Sequence, residues 1–157
     1  MGQEENRSMP VKPVPEGYAT VTPYLMSSDP DRLLDFLKAA FGAEVVEVIR
    51  QDDGKIMHAE ARIVDSMIML GGASSKWPAE NSSLYLYLED VDAAYRAALS
   101  AGATDIMEPA DQIYGDRMGG VKDPTGITWW LATHIEDVSP DEMRRRLKER
   151  AAAGEPA

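Results

Sequence analysis

Residues 29–44 read DPDRLLDFLKAAFGAE, and residues 90–104 read DVDAAYRAALSAGAT. Each stretch opens on an aspartate that can cap a helix, carries apolar residues at helical spacing, and stops at a glycine followed by alanine. In the first, Ser28-Asp29-Pro30 sets the cap ahead of a proline at the first helical position. Its apolar stripe is Leu33, Leu34, Phe36, Leu37, Ala40 and Phe41, ended by Gly42. In the second, Asp90 precedes Val91, Ala94, Tyr95, Ala98 and Leu99, ended by Gly102. The capping aspartates are 61 positions apart and the glycines 60 apart. A repeat of this period predicts two copies of one supersecondary unit.

Around each helix the same order of extended segments is expected. Ala19–Met26 precedes the first helix; Glu44–Arg50, Lys55–Val64 and Ser66–Leu70 follow it, with a hairpin turn at Asp53-Gly54. Ser83–Leu88 precedes the second, followed by Ala103–Glu108, Arg117–Lys122 and Ile127–Thr133. The predicted class is therefore α+β, two tandem βαβββ modules. The expected divisions are a flexible lead-in over 1–17, modules over 18–72 and 83–135, a linker over 73–82, and a C-terminal helix and tail over 136–157. Ser139-Pro140-Asp141-Glu142 is a capping box for that last, charged helix, which is expected on the surface.

Alternation along each strand sorts the side chains onto two faces. One face is aliphatic: Val21 and Leu25; Met57, Ala59, Ala61 and Ile63; Ile68 and Leu70; Leu84, Leu86 and Leu88; Ile127, Trp129 and Leu131. The other carries Thr22 and Tyr24; His58, Glu60 and Arg62; Met67 and Met69; Ser83, Tyr85 and Tyr87; Thr128 and Trp130. Helices need the first face. The second mixes aromatic, sulfur and polar groups, as the wall of a small-molecule pocket or a subunit interface does. Tyr114 and Arg117 lie in a turn-rich segment expected at the rim. There Arg117 either holds an anionic group or ties the loop to an aspartate.

Composition narrows the function. The net charge of −11 repels phosphate backbones and anionic lipid, so neither nucleic acid nor membrane is an expected partner. No apolar run approaches the roughly 18–20 residues of a membrane span. The absence of cysteine removes disulfides, thiolate zinc sites and cysteine nucleophiles. With a polar, acidic N-terminal stretch, these features predict a cytoplasmic protein.

Several strings resemble the glyoxalase/bleomycin-resistance/dioxygenase superfamily, also called vicinal oxygen chelate proteins. They are Thr22-Pro23-Tyr24-Leu25, Phe41-Gly42-Ala43-Glu44, Asp53-Gly54-Lys55-Ile56-Met57-His58-Ala59-Glu60, Gly115-Asp116-Arg117, Asp123-Pro124-Thr125-Gly126 and Trp129-Trp130-Leu131-Ala132-Thr133-His134. Their order is similar to that of the PhnB-like branch. The resemblance implies curved mixed sheets that form a ligand cavity, helices outside, and a homodimer.

Metal-dependent members of that superfamily hold a divalent ion with His and Glu on the first and last strands of each module. The matching positions here are Thr22, Met69, Ser83 and Trp130, none an imidazole or carboxylate. No metal ligands and no cofactor are expected, although a divalent ion at another site stays open. His58 and Glu60, two apart on one strand, are the candidate acid–base pair, with a structural ladder through Arg62 as the plainer alternative. His134 is expected after the final strand, in a structural role.

These features favour a small-molecule binder that sequesters a drug or metabolite. Its ligand would be held by Thr22, Tyr24, His58, Glu60, Arg62, Met67, Met69, Ser83, Tyr85, Tyr87, Tyr114, Arg117, Thr128 and Trp130. The alternative is a divergent lyase or isomerase using His58 and Glu60 or a metal at a non-standard site. A third reading is a regulatory dimer with a vestigial cavity.

Overall fold

A computed structural model describes residues 10–155. The expected lead-in over 1–17 therefore lies partly outside the described residues. The elements run β1 (Tyr24–Ser27), α1 (Pro30–Phe41), β2 (Glu44–Arg50), β3 (Ile56–Ile63), β4 (Ser66–Gly72), β5 (Ser83–Tyr87), α2 (Val91–Ser100), β6 (Thr104–Asp111), β7 (Asp116–Lys122), β8 (Thr128–His134) and α3 (Pro140–Ala152). They form two four-stranded sheets, ordered β1-β4-β3-β2 and β5-β8-β7-β6. β1 runs parallel to β4 and β5 parallel to β8; the other pairings are antiparallel. The fold is α+β, two tandem βαβββ modules, as the repeat predicts.

Both helices start as their caps require. The Asp29 carboxylate accepts the Arg32 N–H at 3.0 Å, and Asp90 accepts that of Ala93 at 3.0 Å. Gly42 ends α1 in the left-handed region at φ 63°, where a side chain would be strained. The Ser139 hydroxyl accepts the Glu142 N–H at 3.1 Å to open α3, which buries no residue.

β1 is shorter than the expected Ala19–Met26. Pro23 lacks an N–H, and pairing starts only where its carbonyl accepts the Met69 N–H. Leu25 enters the core, but Val21 lies outside the strand and is exposed. Met57 also departs from its predicted face. Ile49 pairs with His58 and Arg50 with Ile56, so Met57 is the extra residue of a β-bulge and is 50% exposed. Ile56 takes the core position instead.

A single core joins the modules. α1 and α2 pack on each other, and Phe36 and Phe41 of α1 reach Trp129 of β8 at ring-centroid distances of 6.5 and 5.2 Å. Trp129 is fully buried because its indole N–H donates to Asp123 at 2.8 Å. That carboxylate also accepts from the Thr125 and Ile127 backbone, which shapes the turn into β8. The helix-covered faces of both sheets are thus turned towards the same apolar cluster. Their uncovered faces point away from it.

Candidate functional site

The uncovered face of the first sheet follows from strand register. Tyr24 pairs with Met69, Met69 with Glu60, Met67 with Arg62, and Gly71 with His58, so all these residues share one side. Tyr24 bends over Gly71, where a Cβ would sit 2.9 Å from its phenol oxygen. This lets its ring stack on His58 at 5.7 Å and brings its hydroxyl 3.4 Å from His58 Nδ1. His58 Nε2 lies 3.1 Å from Glu60 Oε1.

Glu60 is only 8% exposed. Its other oxygen accepts the phenol O–H of Tyr18, from the segment that precedes β1. That hydrogen bond, followed by His58, holds the Glu60 carboxyl below its ordinary range although burial pushes it up. Residues 13–22 pass over this face, leaving a cleft of about 420 Å³ walled by Pro13, Pro15, Tyr18, Thr22, Glu60 and Met69 among others. Arg62 Nε is buried here without a partner among the described residues.

The second sheet carries the other open face. Ser83 pairs with Thr128 and Tyr85 with Trp130. The Trp130 ring packs closely against Gly120, where a Cβ would come within 2.4 Å of it, and its N–H donates to Ser83 Oγ at 3.0 Å. Asp116 opens β7 opposite His134. It is 4% exposed, accepts the hydroxyls of Tyr85 (2.7 Å) and Tyr87 (3.1 Å), and sits 2.8 Å from His134 Nδ1. Burial and the Asp116 carboxylate push the Tyr85 phenol up. His134 Nε2 meets Asp137 at 2.8 Å, and Asp137 and then Asp116 raise the imidazole above its ordinary value. Tyr114 stands beside Tyr85.

Arg117 is placed elsewhere. It projects to the helix side of β7, where its guanidinium grips Asp92 of α2 (2.8 and 2.9 Å) and Asp111 (3.1 Å). The structure therefore brings together Tyr24, His58, Glu60, Arg62, Met67 and Met69 on one sheet. It brings together Ser83, Tyr85, Tyr87, Tyr114, Thr128 and Trp130 on the other. Among the described residues, no hydrogen bond, ion pair or ring contact joins these two groups.

Asp116, His134 and Tyr18 lie outside the residues that the sequence leads one to expect around a ligand. Ending β8 at Thr133 hid His134, which is the last residue of that strand, in phase with Trp130. Starting β7 at Arg117 hid Asp116 in the same way. Tyr18 has no local signal, because its partner is 42 positions away. Among the described residues no three of His, Cys, Asp and Glu come together in a way that could hold a metal ion.

A further apolar groove of about 450 Å³ runs along β5 at the junction of the modules, beside Ile63 and Ile68. Tyr85 and Tyr87 also line it, with Asp65 and Ser66 of the first module, so it borders the open face of the second sheet. Leu84, Leu86 and Leu88, on the helix side of the sheet, are half-buried against the core there.

The model of the Glyoxalase/Bleomycin resistance protein/Dioxygenase superfamily matches residues 18–131. An uncharacterised protein of Mycobacterium bovis is 33% identical over 138 residues, covering 81% of this chain and 91% of that protein. An uncharacterised protein of Mycobacterium tuberculosis is also 33% identical, with 81% of each chain covered. Among solved structures, TioX from a Micromonospora species superposes with a TM-score of 0.64 at 24% identity, over 74% of this chain and 99% of TioX. A putative 3-demethylubiquinone-9 3-methyltransferase, PhnB protein, from Bacillus cereus gives a TM-score of 0.57 at 18% identity, over 73% and 99%. At these identities the structural likeness concerns the fold alone.

Proposed function

The chain belongs to the Glyoxalase/Bleomycin resistance protein/Dioxygenase superfamily, and on that premise we propose that it is a cytoplasmic small-molecule-binding protein acting as a homodimer without a metal. The observation that carries this reading is the pair of open faces, both aromatic and polar and both turned away from the shared core. Neither closes into a cup with the other in one chain. A second copy would set the first-module face of one chain beside the second-module face of its partner. The edge strands β1 and β5, each paired on one side only, and the half-buried leucines of β5 support such an arrangement.

The metal-free part rests on donor chemistry. Thr22, Met69, Ser83 and Trp130, at the positions where metal-dependent relatives carry His and Glu, offer two hydroxyls, a thioether and an indole. That set does not fit a divalent ion. A place in the PhnB-like branch rests on the strings quoted above, and cytoplasmic residence on the absence of cysteine.

The test is a thermal-shift screen of planar aromatic and metabolite-like compounds, with metal analysis and sedimentation of the dialysed protein. A ligand at 100 times its dissociation constant should add about 2.7 kcal/mol of stability. Stoichiometric Ni, Zn, Fe or Mn would overturn the metal-free assignment, and a monomer at micromolar concentration the shared cup.

One observation favours a second reading, a lyase or isomerase working by proton transfer. His58 lies between the Glu60 carboxylate and the Tyr24 hydroxyl, where it could pass a proton between bound ligand and carboxylate. Loss of a measured activity in His58→Ala, with folding retained, would favour this reading; unchanged activity would remove it.

A further inference from the structure

We propose that the open face of the second module is a site for a small organic cation, an alkylated ammonium group, held by Tyr85 and Tyr87 around Asp116. The proposal rests on the reading that the open faces bind small molecules, and it names the ligand class for one of them.

The hydrogen-bond inventory carries the assignment. Tyr85 and Tyr87 both donate their only hydroxyl proton to the same oxygen of Asp116. His134 has both ring nitrogens engaged, one with Asp116 and the other with Asp137. What these groups leave for a ligand is acceptors: the remaining lone pairs of two phenol oxygens and the second oxygen of Asp137. An anion would find no free donor among them: it would have to displace the buried Asp116 from both tyrosines or the exposed Asp137 from His134.

Charge points the same way. Two carboxylates stand against one imidazole, and among the described residues no Lys or Arg side chain is bonded to any member of the cluster. The rings supply the walls. Their centroids are 5.2 Å apart at an interplanar angle of 56°, and they are 42% and 65% exposed. A cation can therefore lie against a ring face, where the aromatic quadrupole attracts it. Tyr114, beside Tyr85, offers a third ring.

The experiment titrates the full chain with choline and, separately, with 3,3-dimethylbutan-1-ol, its neutral isostere, following the tyrosine and His134 side-chain resonances by NMR. A panel of neutral planar aromatics is titrated in parallel. Choline is expected to shift the Tyr85, Tyr87 and His134 signals saturably and to bind at least about tenfold tighter than the isostere. Tyr87→Ala should weaken choline by a similar factor, while Tyr87→Phe, which keeps the ring, should retain most of the binding. Equal binding of choline and isostere would overturn the cation assignment, as would choline shifts confined to residues outside the cluster. If neutral aromatics still bind in either case, the small-molecule reading stands alone. If nothing in either set binds, both readings fall.

Discussion

The phenol of Tyr18 donates to the buried carboxylate of Glu60, 42 positions further along the chain. This contact pins the segment before β1 across the open face of the first sheet and takes up an oxygen that a ligand would otherwise meet. Any ligand reaching Glu60 must share the face with residues 13–22 or displace them.

Tyr18→Phe is therefore expected to lower the denaturation midpoint, because Glu60 loses a donor while staying buried. In a Glu60→Gln background the same change should cost much less. Chemical denaturation of the four proteins in a double-mutant cycle checks this. Equal effects of Tyr18→Phe in both backgrounds would show that the two side chains are not coupled.

Glu60 also makes an acid-side pH dependence. Its folded value lies below the ordinary 4.5, with Tyr18 the largest cause. The stability it contributes is complete above about pH 4.5 and is lost as the pH falls through the lower native value. Denaturation curves between pH 3 and 6 should show this slope, reduced in Tyr18→Phe.

His134 acts in the opposite direction. Its folded value lies above 6.5, raised first by Asp137 and then by Asp116. Its contribution is present below pH 6.5 and is lost as the pH rises through the raised native value. NMR titration of the imidazole should give a midpoint above 6.5, and His134→Gln should flatten stability over that range.

Trp129→Ala should destabilise the fold by about 3–5 kcal/mol, since it empties a fully buried volume shared by α1 and β8. It also leaves Asp123 with one donor fewer. Trp129→Phe should recover much of the packing but not that hydrogen bond. Urea denaturation separates the two, and a loss below 1 kcal/mol for Trp129→Ala would contradict the shared core.

Leu86→Glu should shift a homodimer towards monomer, because it sets a charge in the half-buried groove along β5. Sedimentation velocity reads the outcome; an unchanged mass with a well-folded spectrum would remove this groove from the subunit contact.

The amino-acid sequence by itself determined the repeat, both helices with their caps, the class and most of each strand's two faces. All of these depend on neighbours a few positions apart: Asp29 and Arg32, Asp90 and Ala93, or the alternation from His58 to Arg62. It is off by one residue where a bulge interrupts alternation, at Met57, and where the last strand ends, at His134, and by five at the start of β1, which Pro23 delays from Ala19 to Tyr24. Those limits depend on hydrogen bonds to another strand. Tertiary structure alone decided that Arg117 is held by Asp92 of α2, that Tyr18 reaches Glu60, and that Asp116 gathers Tyr85, Tyr87 and His134. It also decided how the modules meet. Alternation assigns an apolar face to every strand, but whether two such faces share one core depends on which surfaces exclude water together. In this chain Phe36, Phe41 and Trp129 meet in the middle, and the residues that could hold a ligand are left facing outwards.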